Sequence, residues 1–136
     1  MTIATYGVHP WIATVYYSLD DDLNVYFLSD PKTLHCKQIA TNPNVALSVS
    51  DSPQNPSSKK KGVQVFGVAE EVSGMQKIKH AIGLWRKTLG VTSDAYTYEG
   101  MMKKAIKGRM YRVQIKKIKF FNQELWDEGS EPMISL

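Results

Sequence analysis

The sequence predicts a mainly β protein: a small antiparallel barrel of six strands with peripheral helices. Three observations carry this. Six runs rich in Ile, Val, Thr and aromatic residues, at 2–6, 11–18, 23–29, 45–49, 62–72 and 109–121, are separated by turn-forming residues. Helical signals are confined to three stretches, at 31–41, between Ser73 and Gly90, and at 93–107. The longest run changes its alternation part-way, as a strand does when it turns a barrel corner.

The elements follow in order. The first two runs join across Gly7-Val-His-Pro10, and Asp20-Asp-Asp22 makes a polar turn into the third. Asp30 is a good N-cap and Pro31 a good first helical residue, so a helix is expected from Pro31 to Thr41, where Asn42-Pro43 stops it. Val45 to Val49 alternates as a fourth strand. The turn-rich, charged segment 52–61 is expected to be a mobile surface loop. In the fifth strand, Gly67 admits a bend or the close approach of another backbone. Ser73-Gly-Met-Gln76 has the pattern of a capping box, and Met75, Ile78, Ile82, Trp85 and Leu89 form one apolar stripe. These read as core side chains, and Gly90 closes the helix. In the last strand Tyr111, Val113 and Ile115 share a face. Beyond Lys116-Lys117 the lead passes to Ile118 and Phe120, which predicts a bulge. Residues 122–136 form a tail.

The length of 136 residues fits one domain, and 43% hydrophobic with 22% charged residues fits a soluble globular one. The lone Cys36 excludes an internal disulfide and fits a reducing compartment. No apolar run nears the roughly 20 residues of a spanning helix. The first residues lack a basic leader followed by an apolar stretch. A cytoplasmic protein is expected. The net charge of +4 is local: residues 101–119 hold eight Lys or Arg and no acid, whereas Glu124, Asp127, Glu128 and Glu131 follow. A basic run alone is an electrostatic footprint without a readout element. It reads as a solvated surface, and neither a nucleic-acid nor a membrane partner is expected.

Chemistry concentrates between residues 25 and 49. A strand ends in a turn that gathers Ser29, Asp30, Thr33 and His35, with Lys32 and Lys37 close by. Hydroxyls and cations at an opening helix turn make a candidate phosphate seat. The alternative is an ordinary capped connector, in which Thr33 caps its own turn and His35 lies on the surface. His35 and Cys36 are adjacent, so their side chains are expected to diverge around the helix and not to form a nucleophile–base pair. His9, His35 and His80 lack metal-ligand spacing, and no metal is expected. The interior of a small closed sheet is filled by side chains, so a ligand is expected outside, in a groove completed by another subunit.

The order of these features is informative. A strand pair and an acidic turn precede Ser29-Asp-Pro-Lys-Thr…His35. Then come Asn42-Pro-Asn-Val-Ala-Leu47, Val63-Gln-Val-Phe-Gly67 and Ala69-Glu-Glu-Val72. Across residues 2–121 this resembles the pyridoxamine 5'-phosphate oxidase-like family of FMN-binding split barrels, and above all its short members. The resemblance implies a Greek-key split barrel and a homodimer with FMN at the subunit interface. It also implies an oxidoreductase acting on an unspecified small molecule, with a small-molecule or nicotinamide electron donor. By similarity, Thr14, Val15, Tyr16 and Tyr17 line the flavin, and Leu28 and Ser29 lie near its ribityl and phosphate. Thr33, Leu34 and His35 stand where the family has its Ser-Arg-Lys phosphate triplet, with Lys32 in reach to compensate. Gln64 reaches the ring, and Trp126 lies in a tail that can reach the partner's flavin.

The departures matter as much. Leu34 replaces the family's Arg and His35 its Lys, and Ala13 and Ser18 replace the basic residues at either end of the flavin-lining strand. A charge-assisted hydrogen bond is worth about 1.5–3 kcal/mol, so losing one weakens binding on the order of 10- to 100-fold. The competing expectation is therefore a non-catalytic dimeric module that binds deazaflavin F420, heme or nothing. The acidic tail lacks the Arg and His pattern of the vitamin B6 enzyme, so a phosphorylated pyridoxine substrate is not expected. No general acid or base stands out.

Overall fold

The computed structural model describes residues 1–51 and 53–136; Ser52, the first residue of the expected loop, lies outside the described residues. The elements are β1 (Thr2–Tyr6), β2 (Pro10–Thr14), β3 (Tyr17–Leu19), β4 (Asn24–Ser29), α1 (Leu34–Thr41), β5 (Asn44–Ser50), β6 (Lys61–Glu71), α2 (Met75–Leu89), α3 (Tyr98–Met102), β7 (Arg109–Asn122) and β8 (Met133–Ser135). The strands form one antiparallel sheet in the order β2-β1-β5-β6-β7-β4-β3, with β8 added to β7. Strands β5, β6 and β7 form a meander and β4 returns beside β7, which is a Greek key.

β2 and β3 end this path on opposite sides, yet only Val15 and Tyr16 separate them in the chain. The sheet must therefore curl until its edges nearly meet. The covalent chain bridges the gap where no ladder does, and the result is a split β-barrel. Val15 N donates to Met1 O at 3.0 Å, and Trp85 Nε1 donates to Tyr16 O at 3.2 Å, so both residues of the crossing are held.

The structure corrects several expectations. The run 11–18 is two strands, and part of the tail pairs as β8, so the described residues hold eight strands where six were expected. Helix α1 starts at Leu34. Asp30 instead closes the preceding turn: its Oδ1 accepts from Lys32 N at 2.9 Å and its carbonyl from Thr33 N at 3.0 Å. The N-cap of α2 is Gly74 at φ 89, and no side chain caps it, so Ser73 forms no capping box. Gly90 does close the helix, in the left-handed conformation at φ 66. The third helix is cut to five residues, with Lys104 turning the chain away at φ 58.

The expected bulge is present. Phe66 faces Lys117 while Gly67 faces Ile115, leaving Lys116 as the extra residue. Gly67 is required there, because a Cβ would lie 2.6 Å from Val113 Cγ1 and 2.7 Å from Gln114 O.

Two apolar clusters result. The barrel interior holds Ile3, Val25, Phe27, Leu47, Tyr111 and Val113 among others, with Cys36 and Ile39 of α1 plugging one end. The second lies between the sheet and α2, around Tyr26, Ile82, Trp85, Met101 and Met110. β4 serves both, since its successive side chains point to opposite faces. Met75 and Leu89, at the ends of the α2 stripe, overhang the sheet and are exposed, not core. No helix among the described residues is long and apolar enough to cross a membrane.

Candidate functional site

The turn before α1 gathers Ser29, Thr33 and His35, as expected, but turns them toward one another. His35 is buried, with Nε2 2.7 Å from Ser29 Oγ and 3.3 Å from Thr33 Oγ1, and its ring tilts against Phe27. Thr33 Oγ1 also donates to Asp30 O at 2.7 Å. These hydrogen-bonding groups are therefore engaged within the fold, and the exposed neighbour, Leu34, is apolar. At Thr33–His35 the side-chain polar groups thus face one another.

Cys36 is buried beside this cluster. Burial alone would raise its thiol. Hydrogen bonding with His35, Thr33, Tyr111 and Ser29 outweighs that and draws it below its ordinary value. The Tyr111 phenol, pushed up by burial and then by Cys36, stays protonated.

The outer face of the sheet is different. Its register aligns two rows of outward side chains. One runs Thr14, Thr2, Ser48, Gln64, Lys119, Met133; beside it runs Ile12, Ala4, Ala46, Phe66, Lys117. The middle of both rows floors a groove of about 400 Å³. Small side chains on β1 and β5 keep the floor flat, and Phe66, Lys117, Lys119 and Met133 rise along one side. Lys119 Nζ lies 3.3 Å from a Glu131 carboxylate oxygen.

Two expected site residues, Thr14 and Gln64, belong to this face. The others are placed elsewhere. Val15 and Tyr17 pack against the barrel core, and Leu28 packs under α2. Tyr16 is exposed at the crossing. Lys32 lines a recess with Lys104, Lys107 and Arg109. Trp126 stands edge-on to Phe120 at 5.6 Å, in its own chain. Thr2, Ser48 and Lys119 were not singled out from the sequence. The signal for them was the outward phase of the strands, once β1, β5 and β7 are laid in register.

At the far end of β4 the Asp20 carboxylate accepts from Asp22 N, Asn24 N, Asn24 Nδ2 and Tyr26 Oη at 2.8–3.2 Å. Burial would raise this carboxyl, but the bonds from Asn24, Tyr26 and Asp22 together hold it below its ordinary value. Burial and then Asp20 push the Tyr26 phenol up to about 12.

No family model and no curated protein matches this chain. Solved structures share its fold. A heme-binding protein from Mycobacterium smegmatis superposes with a TM-score of 0.72 at 14% identity, over 98% of this chain and 51% of that one. A FAD-binding protein from Mesorhizobium loti gives 0.64 at 20% identity, over 86% and 78%. The heme storage protein of Vibrio cholerae gives 0.67 at 14%, over 85% and 80%. The chain thus spans about half the length of the Mycobacterium protein. Likeness at such identities establishes the split-barrel fold, one that serves flavin-binding and heme-binding proteins alike.

Proposed function

We propose that this protein is a homodimeric flavin-binding split barrel that takes FMN and acts as an oxidoreductase on a small molecule. The observation that carries the reading is the flat outer-face groove. A planar ring needs a broad, mostly apolar floor with a few polar groups at its edge, and concave sites of this kind are the usual cofactor sites. Thr2, Ala4, Ala46 and Ser48 supply the floor; Gln64, Lys117 and Lys119 supply the polar edge. One subunit leaves this groove open to solvent. Ile12, Phe66 and Met133 are exposed beside it, apolar surface that a second copy would cover.

FMN, once bound, supplies hydride and single-electron chemistry. The residues of this chain bind it, orient it and, with the partner, exclude water. Gln64 and Lys119 would hold the ring at its polar edge, Gln64 through its amide and Lys119 through its positive charge. With Leu34, Ala13 and Ser18 uncharged and His35 enclosed, the ring carries most of the binding. A small-molecule or nicotinamide donor and a cytoplasmic setting complete the proposal.

The test is an absorbance spectrum of the purified protein, followed by titration with FMN and riboflavin and by sedimentation. A yellow dimer, or quenching of both flavins with affinities no more than about 100-fold apart, is expected, since at most one charge-assisted contact would separate them. A monomer that neither quenches nor gains thermal stability at saturating FMN would sink the reading.

The uncharged positions 13, 18 and 34 favour one competing reading, a non-catalytic module for heme or F420. Heme binding with no response to FMN would select it.

A further inference from the structure

We propose that the recess between the β4–α1 turn and the segment leading into β7 is a second binding site, for the phosphate group of a small molecule. It shares no residue with the outer-face groove and does not depend on the flavin reading.

The recess, of about 260 Å³, is lined by Lys32, Lys104, Lys107 and Arg109, with Asp30 as its one acid. Four cations elsewhere, Lys61, Lys79, Arg112 and Lys119, each contact a carboxylate. None of the four recess cations has such a partner among the described residues. Like charges gathered around one concavity repel, and a divalent anion there removes the repulsion. Asp30 does not fill that role alone: one carboxylate faces four cations, and its Oδ1 already accepts from Lys32 N at 2.9 Å.

The frame is rigid where it needs to be. Arg109 pairs with Ser29 in the β4–β7 ladder and is half-buried. Its Nη1 donates to Gly108 O at 3.0 Å, which fixes the guanidinium while leaving donors for a two-point grip on phosphate. Lys104 is set by its left-handed turn at φ 58, and Ala105 N donates to Gly100 O at 2.8 Å. Gly108 is pressed against Leu28, where a Cβ would lie 2.8 Å from Cγ, so the loop is seated on β4. A recess lined by four cations suits one phosphate. A nucleic-acid backbone asks for a stripe of cations along a groove.

The experiment titrates the intact protein at low salt with inorganic phosphate and, separately, with glycerol phosphate, by calorimetry. Saturable one-to-one binding of either is expected; a preference for the ester identifies a phosphorylated metabolite, and equal binding identifies free phosphate. The double variant Lys104→Gln/Lys107→Gln is expected to bind at least about tenfold more weakly, since it removes two charge-assisted contacts. Arg109→Lys, checked for folding by circular dichroism, loses the two-point grip and weakens binding comparably. Lys59→Gln, outside the recess, leaves affinity unchanged. The proposal is overturned if millimolar phosphate gives no saturable binding, or if Lys59→Gln weakens it as much as the double variant. It is also overturned if only a single-stranded oligonucleotide binds, with steep salt dependence.

Discussion

The two halves of β7 are one strand with two characters. Before the bulge, Met110, Tyr111, Val113 and Ile115 are all buried, between them serving both apolar clusters. After it, Ile118 is only half-buried, Phe120 is 36% exposed, and Lys117 and Lys119 stand over the outer-face groove. The inserted Lys116 makes this division possible. With strict alternation from Tyr111 onward, residues 117 and 119 would point into the barrel; the extra residue turns both lysines out and Ile118 in. The tight half holds the shape and the loose half lines the outer-face groove. This is the usual division, since binding surfaces are drawn from the less tightly packed parts of a fold.

The largest test of that division is Gly67→Ala, which puts a methyl against Val113 and the Gln114 carbonyl where the halves meet. A destabilisation of about 3 kcal/mol is expected, because backbone on one side leaves little room to relax. Denaturant unfolding measures it; a loss below about 1 kcal/mol would mean that the bulge yields and does not fix the strand. Next comes a matched pair. Val113→Ala, in the fully buried half, is expected to cost about 2 kcal/mol, and Ile118→Ala, although it deletes more atoms, about 1 kcal/mol. Equal losses would abolish the contrast.

Much of this strand was legible in the sequence. Two adjacent lysines inside an otherwise alternating run leave no other way to keep Ile115 and Ile118 on one face. The break at Val15-Tyr16 was not legible, because β-branched and aromatic residues continue through it. Closure of the sheet imposes it, and Trp85, 69 residues away, holds it. The same limit governs the sites. Ser29, Thr33 and His35 are near in sequence, and their gathering was foreseen, but whether they face a ligand or one another depends on burial. The recess joins Lys32 to Lys104, Lys107 and Arg109, which local reading assigned to a solvated surface. Only the pairing of Ser29 with Arg109 brings them together.

The loose half is tested through the flavin proposed for its groove. Gln64→Ala is expected to weaken FMN binding about tenfold, the worth of one good polar contact, while leaving the unfolding midpoint unchanged. Gln64 is exposed, and its side chain has no hydrogen bond within the fold among the described residues. An equal loss of stability would show the groove to be part of the scaffold, and the division between the halves would then be one of degree.

The smallest effect belongs to the tight half and depends on pH. Asp20 holds Tyr26, which pairs with Arg112 across β4 and β7. Because the folded state lowers its pKa, Asp20 binds protons less readily folded than unfolded. Its contribution is therefore complete above the ordinary value of 3.8 and disappears as pH falls through the lower, folded value. Glu99 and Glu131 are also held low and shape the acid limb too, but equally in the parent and in Asp20→Asn. The difference in denaturant midpoint between the two proteins isolates Asp20. It is expected to be constant near neutrality and to shrink steadily as pH drops below about 4. A difference that persists unchanged into acid would show that the shape of the side chain, and not its charge, secures the turn. The tight half of β7 would then owe its rigidity to packing alone.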